Sequence, residues 1–306
     1  MLPEPLGCPA RPAGPENDGR LHVKPAQGRW EECNSELRFV TYLSPGIPRE
    51  FFEAIIEHVG QALGLRVSLS VDSRASGPVR GADNPFSRGE MDVGFMCAPS
   101  FFWLREREEP PVELLPAAPV FRDGRARGLP VYFSEVIVNR ESPVESFPGL
   151  RGRSWAYNDP CSLSGYYNML KKLAEMGGDD PFFGRMYCSE SHSNSMEMVA
   201  SGEVDAAAID SNVLKIWLGS SPELGERLRV IENWGPFPIQ PVVVRSDLHP
   251  ELKDLLCAGL LSLSTDLPPV LAGFGLERFA PITYEHYASE EQALRNCKRT
   301  LTVPPL

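Results

Sequence analysis

Apolar residues along this chain recur with two periods, and the alternation between them is interrupted by two long extended runs, at 131–139 and 239–245. Runs such as Leu37-Arg38-Phe39-Val40-Thr41-Tyr42 have strand composition, whereas Phe52, Ile55, Ile56, Val59 and Leu63 recur at the spacing of one buried helix face. Strands and helices that follow one another in this way cover a parallel or mixed sheet with helices. Before the first run the pattern predicts a strand at 37–42, a helix at 49–64 ended by Gly64, strands at 67–71 and 89–96, a short helix at 101–107 and a strand at 112–120. After it, strands are expected at 155–157, 185–188 and 204–209, with helices at 164–177 (closed by Gly177-Gly178), 194–201 and 211–218. A further amphipathic helix is expected at 250–263. The whole reads as two α/β lobes joined by two extended hinge crossings: lobe one from 35–129 with 240–301, lobe two from 130–239, and a ligand cleft between them. Residues 1–34 hold Pro3, Pro5, Pro9, Pro12, Pro15 and Pro25 among few apolar residues, and are expected to form a disordered tail.

Charge narrows the partners. Thirty Lys and Arg against 41 Asp and Glu leave a net −11, which repels nucleic-acid backbones and anionic lipid surfaces. No apolar run is long enough to span a bilayer, so direct membrane insertion is not expected. A small anion remains compatible, because backbone N–H groups at a helix N-terminus can bind it without net positive charge. The seven cysteines, at 8, 33, 97, 161, 188, 257 and 297, include no C-x-x-C pair and read as reduced thiols. Met1 to Glu4 carry no hydrophobic run ahead of Pro5-Leu6-Gly7-Cys8, so the chain as written is expected in the cytoplasm, or in the periplasm or outside the cell if its start lies upstream. No dinucleotide, Walker A, nucleophile-elbow or zincin motif occurs, and His22, His58, His192, His249 and His286 lack ligand spacing; neither cofactor nor metal is expected.

Three stretches carry chemistry. In Tyr157-Asn158-Asp159-Pro160-Cys161-Ser162-Leu163-Ser164-Gly165 a strand stops and a helix starts near Ser164, so Ser162, Ser164 and backbone N–H groups crowd one helix N-terminus. Gly165 permits close backbone approach. The two hydroxyls serve either as simple caps or as an oxyanion site. In Ser189-Glu190-Ser191-His192-Ser193-Asn194-Ser195-Met196-Glu197, Asn194 and Glu197 have capping-box spacing, and His192 precedes the expected helix. The strand Val204-Asp205-Ala206-Ala207-Ala208-Ile209 runs into Asp210 at its carboxyl end, where ligands of open α/β sheets lie; Asp210 equally suits a cap for the next helix.

The joint order, D-P-x-S-x-S-G, then S-H-x-x-S, then G-x-V-D-A-A-x-x-D, resembles the substrate-binding proteins of phosphate, phosphite and phosphonate ABC transporters, which have the type 2 periplasmic-binding-protein fold. Gly89-x-x-Asp92, Pro130-Val131-Tyr132-Phe133-Ser134 and Leu150-Arg151-Gly152-Arg153 look like further motifs of that family. The resemblance implies that Ser162, Ser164 and Gly165 hold an oxyanion, that His192 donates to it, that Asp210 faces the other end of the ligand, and that Tyr42, Phe101 and Tyr132 close over it. Core packing is the other reading of each aromatic. The resemblance also implies an ABC-transporter permease as partner and action as a monomer. Leu163 stands where the family has a hydroxyl residue, and Cys97-Ala98-Pro99-Ser100-Phe101 replaces a small-residue turn followed by Tyr. Two other readings share the fold: a cytosolic ligand sensor, and an enzyme, either similar to the thiamine-pathway pyrimidine synthases or built on Cys161, His192 and Asp210.

Overall fold

The computed structural model describes residues 36–177 and 181–300; the proline-rich segment 1–34 and Gly178 lie outside them. The parallel strands β1 (Glu36–Thr41) and β2 (Arg66–Val71) are joined by α1 (Arg49–Leu63), whose Phe51, Phe52, Ile55, Ile56, Val59 and Leu63 are buried. Gly64, at φ 68°, ends α1 with its N–H directed at the carbonyls of Gln61 and Gly60. Next come β3 (Val93–Phe95), α2 (Ala98–Arg105), β4 (Val112–Leu114) and β5 (Ala117–Phe121).

Two expectations about this half change. The strand expected at 89–96 shrinks to β3, because Gly89 (φ 67°) and Glu90 close a turn on the carbonyls of Phe86 and Pro85. Asp92, just before β3, is buried and takes hydrogen bonds from the Arg38 main chain at 2.9 Å and from the Arg38 guanidinium, with Arg245 3.1 Å away. The run 112–120 divides at Pro116, which has no N–H to continue a ladder, into β4 and β5 in different sheets.

The second half contains β6 (Val131–Asn139), β7 (Ser154–Tyr157), α3 (Asn168–Glu175), β8 (Arg185–Cys188), α4 (His192–Ser201), β9 (Ala206–Asp210), α5 (Ser211–Ser220), α6 (Pro222–Arg227) and β10 (Leu228–Pro238). The chain then returns as β11 (Val242–Arg245), α7 (Pro250–Ser262), α8 (Pro269–Gly273), β12 (Leu276–Pro281) and α9 (Glu285–Thr300). One five-stranded sheet has the order β2-β1-β3-β11-β4, the other β10-β6-β9-β7-β8, and β12 pairs with β5.

The two crossings between the sheets run side by side. β6 and β10 are antiparallel as far as Phe237 opposite Tyr132 and Pro238 opposite Val131, and the Ile239 N–H then donates to the Pro130 carbonyl at 3.0 Å. The two sheets are thus linked by adjacent extended crossings at the ends of β6 and β10, the kind of element-terminal segment that absorbs hinge rotation.

Candidate functional site

The carboxyl ends of β1, β3, β7 and β9 face each other across a cleft between the two sheets, of about 500 Å³ counting the open space at its mouth. The first sheet contributes Tyr42 and the loop to Ile47, the segment around Ser76, and Cys97; the second contributes Asn158, Asp159, Ser162, Ser164, residues 190–192 and Asp210. Gln240 reaches in from the crossing.

Two helix N-termini converge here. After β7 the chain turns, with Asp159 Oδ1 accepting the Cys161 N–H at 2.7 Å, and a π-helical turn at 163–167 leads into α3. Ser162 caps that turn, its Oγ accepting the Gly165 N–H at 3.1 Å. Gly165 is required by close packing, because a Cβ there would lie 2.0 Å from Asn158 Oδ1. Opposite, α4 begins at His192 itself, two residues earlier than expected. The expected Asn194–Glu197 box is replaced by Ser191, whose extended backbone lets its hydroxyl accept the Asn194 N–H at 3.1 Å. Ser164 Oγ and His192 Nε2 are 2.9 Å apart, joining the two N-termini.

The electrostatics of this cleft come from dipoles and carboxylates. His192 is buried and, among the described residues, has no charged partner, so burial pushes its imidazole down to about 4 and the ring is neutral at pH 7; among the same residues its Nδ1 finds no hydrogen-bond partner. Asp210 caps α5 by accepting the N–H groups of Asn212 (2.7 Å) and Val213 (3.3 Å), and also takes the Gln240 amide at 2.6 Å; burial nevertheless raises it to about 6. Asp159, also raised by burial, accepts from Ser76 Oγ at 2.5 Å and Asn158 Nδ2 at 2.8 Å. The Ser76–Asp159 bond crosses between the sheets, as do Leu163 N–H to Cys97 Sγ (3.2 Å) and Trp217 Nε1–H to the Gly46 carbonyl (2.9 Å). Among the described residues no Lys or Arg lines the cleft, whereas Asp159, Glu190 and Asp210 do.

Of the residues singled out in the sequence, Tyr42, Ser162, Ser164, His192 and Asp210 meet in this cleft. Phe101, Tyr132 and Gly165 do not line it. Phe101 is buried on α2 with its ring 6.1 Å from Tyr287 and 6.2 Å from Tyr284, a packing contact. Tyr132 is buried on β6 against Phe237, with its hydroxyl directed at Ser164 behind the cleft, and burial raises its phenol far above the usual value. Gly165 faces Asn158, with its N–H already engaged by Ser162. The Cys161-His192-Asp210 constellation is not assembled: Cys161 is fully buried with its thiol pushed up to about 12, His192 Nδ1 is unpartnered, and Asp210 is engaged by α5 and Gln240. Sequence reasoning missed Ser76, Cys97, Asn158, Asp159, Ser191 and Gln240 as cleft residues. Asp159 and Ser191 stood at the head of two of the family-like motifs without being given a role, and nothing local marks Ser76 or Gln240.

Among the described residues, no helix is long and apolar enough to cross a membrane. The family model for the periplasmic substrate-binding proteins of phosphonate ABC transporters matches residues 38–287. The phosphonates-binding periplasmic protein of Escherichia coli is 30% identical over 137 residues, which are 42% of this chain and 39% of that protein; the match thus spans about two fifths of the relative's length. A binding-protein component of an ABC phosphonate transporter from Pseudomonas aeruginosa superposes with a TM-score of 0.72 at 21% identity, covering 87% of this chain and 88% of that one. PhnD1 of Prochlorococcus marinus, solved in complex with methylphosphonate, gives 0.71 at 17% identity, covering 87% and 99%. These two likenesses establish the two-lobed periplasmic-binding-protein fold. With a family match over most of its length and that fold around an interlobe cleft, the chain belongs to the periplasmic substrate-binding proteins of phosphonate ABC transporters.

Proposed function

We propose that this chain is a solute-binding protein that closes its two lobes on a small phosphorus oxyanion (phosphonate, phosphite or phosphate) and delivers it to an ABC-transporter permease outside the cytoplasmic membrane. Lobe one would comprise 35–129 with 240–301, and lobe two 130–239. The observation that carries the reading is the meeting of two helix N-termini in one cleft, with Ser162 and Ser164 on one and Ser191 and His192 on the other. Hydroxyls and N–H groups presented at the positive end of helix dipoles are suited to an oxyanion. Ser164 and His192 would touch it directly, Tyr42 would cover it from lobe one, and Asp210 would tie the Gln240 crossing to the floor. A binder rather than an enzyme is favoured by the buried, protonated Cys161 and by an imidazole that no carboxylate orients.

Isothermal titration of the purified chain with methylphosphonate, phosphite and phosphate tests this. At least one ligand is expected to bind, and Ser164→Ala and His192→Ala should each weaken it by about 1–3 kcal/mol, the loss of one hydrogen bond to a charged group. Binding of none, or unchanged affinity in both variants, overturns the proposed site.

A further inference from the structure

Resting on the phosphorus-oxyanion reading, we infer that the cleft takes its ligand in the singly ionised form and rejects the dianion. Among the described residues, the charged groups that line the cleft and would face a bound oxyanion are all negative. From lobe two these are Asp159 behind β7, Glu190 at the entrance to α4 and Asp210 at the end of β9. The titratable groups offered by lobe one, Tyr42 at the end of β1 and Cys97 behind β3, are both raised by burial and so remain neutral. The other titratable groups on the floor, His192 and the Tyr132 phenol behind Ser164, are neutral too. Arg74, in the loop beside the cleft, is held by Asp72 at 2.9 and 2.6 Å and brings no uncompensated charge.

The groups that line the cleft and can donate to the ligand are uncharged dipoles: the hydroxyls of Tyr42, Ser44, Ser73, Ser162 and Ser191, and the Ser164–His192 pair, whose shared hydrogen bond leaves one of its two protons for the ligand. Such groups can stabilise one negative charge at a helix N-terminus, but nothing in the cleft neutralises a second, and each carboxylate opposes it. A ligand that keeps one proton as P–OH avoids that repulsion. It also supplies a donor, which is what serine oxygens and ionised carboxylates can accept. The wall is therefore matched to a protonated phosphorus oxyanion.

The test is titration calorimetry of the wild-type protein with methylphosphonate and methanesulfonate between about pH 6 and pH 9, in buffers of differing ionisation enthalpy. Above the second ionisation of methylphosphonate, its affinity should fall by about tenfold per pH unit, with nearly one proton taken up per ligand bound. Methanesulfonate has no second ionisation, so its curve reports only the titration of cleft side chains and should be much flatter. Methylphosphonate affinity that stays constant or rises through the same range, or binding without proton uptake, overturns the inference while leaving the phosphonate reading intact. Absence of binding by any phosphorus oxyanion at every pH overturns that reading and the inference with it.

Discussion

Asp210→Asn should change how the stability of this protein depends on pH. Asp210 is almost fully buried, and its three hydrogen bonds to Asn212, Val213 and Gln240 do not offset its loss of water, so its pKa rises from the ordinary 3.8 to about 6. An acid with a higher pKa in the folded state than in the unfolded one holds its proton more tightly when folded. Its ionisation therefore opposes folding: stability falls as pH rises through the window from about 4 to 6, the penalty being absent below that window and complete above it. A shift of about two units corresponds to about 3 kcal/mol. Asparagine keeps an oxygen for the α5 cap, and the Gln240 amide can turn to offer its own oxygen to the new NH₂ group, so the cap survives while the charge is removed. Urea unfolding of both proteins at intervals from pH 4 to pH 8 measures the difference. Relative to wild type, the variant should gain about 3 kcal/mol between pH 4 and pH 7. Parallel stability profiles for the two proteins would falsify the argument, showing that Asp210 is solvated well enough to ionise normally.

Two further substitutions test the cleft and its floor. Ser76→Ala removes the Oγ–H bond to Asp159 that crosses between the lobes. By the usual worth of a hydrogen bond to a charged group it should weaken ligand binding by about 1–3 kcal/mol, mostly through faster dissociation, and widen the ligand-free protein in small-angle scattering; unaltered affinity and dimensions would remove that bond from the closing mechanism. Gly165→Ala forces a Cβ to within 2.0 Å of Asn158 Oδ1. Displacing Asn158 should lower unfolding stability by about 1–3 kcal/mol, so a variant as stable as wild type would show that the π-helical turn has room to move.

The legible parts of the fold were those with strong local signals. α1 and α7 carry apolar faces at helical spacing, and β6 and β8 are found with the bounds read from their composition. β10 escaped notice because Pro236 and Pro238 argue against a strand; it tolerates them because it lies at the edge of its sheet. The mixed, weakly apolar segments that form β12 and α9 offered no clear period, and their positions depend on β5 and on packing with α2 and α3. In the site, Ser162, Ser164, His192 and Asp210 could be read because helix N-termini have sequence signatures. The Ser76–Asp159 and Cys97–Leu163 contacts could not, since they join segments far apart in the chain and exist only once the lobes meet. Gly165 was read as the place where the backbone approaches a bound group; the close neighbour found there is Asn158.

The way the second sheet interrupts the first has a consequence for synthesis of the chain. β11 lies between β3 and β4 and is made only after all five strands of the other sheet. As the protein emerges from the ribosome, the inserted lobe can complete its hydrogen-bond ladders while β3 still exposes an open edge and β4 lacks the neighbour it pairs with. The inner module is thus able to mature first, and the outer one is sealed by a late strand that must find its slot across a large sequence separation, the slow kind of contact. Until Val242–Arg245 is inserted, the exposed edge of β3 is a surface of the nascent chain open to mispairing.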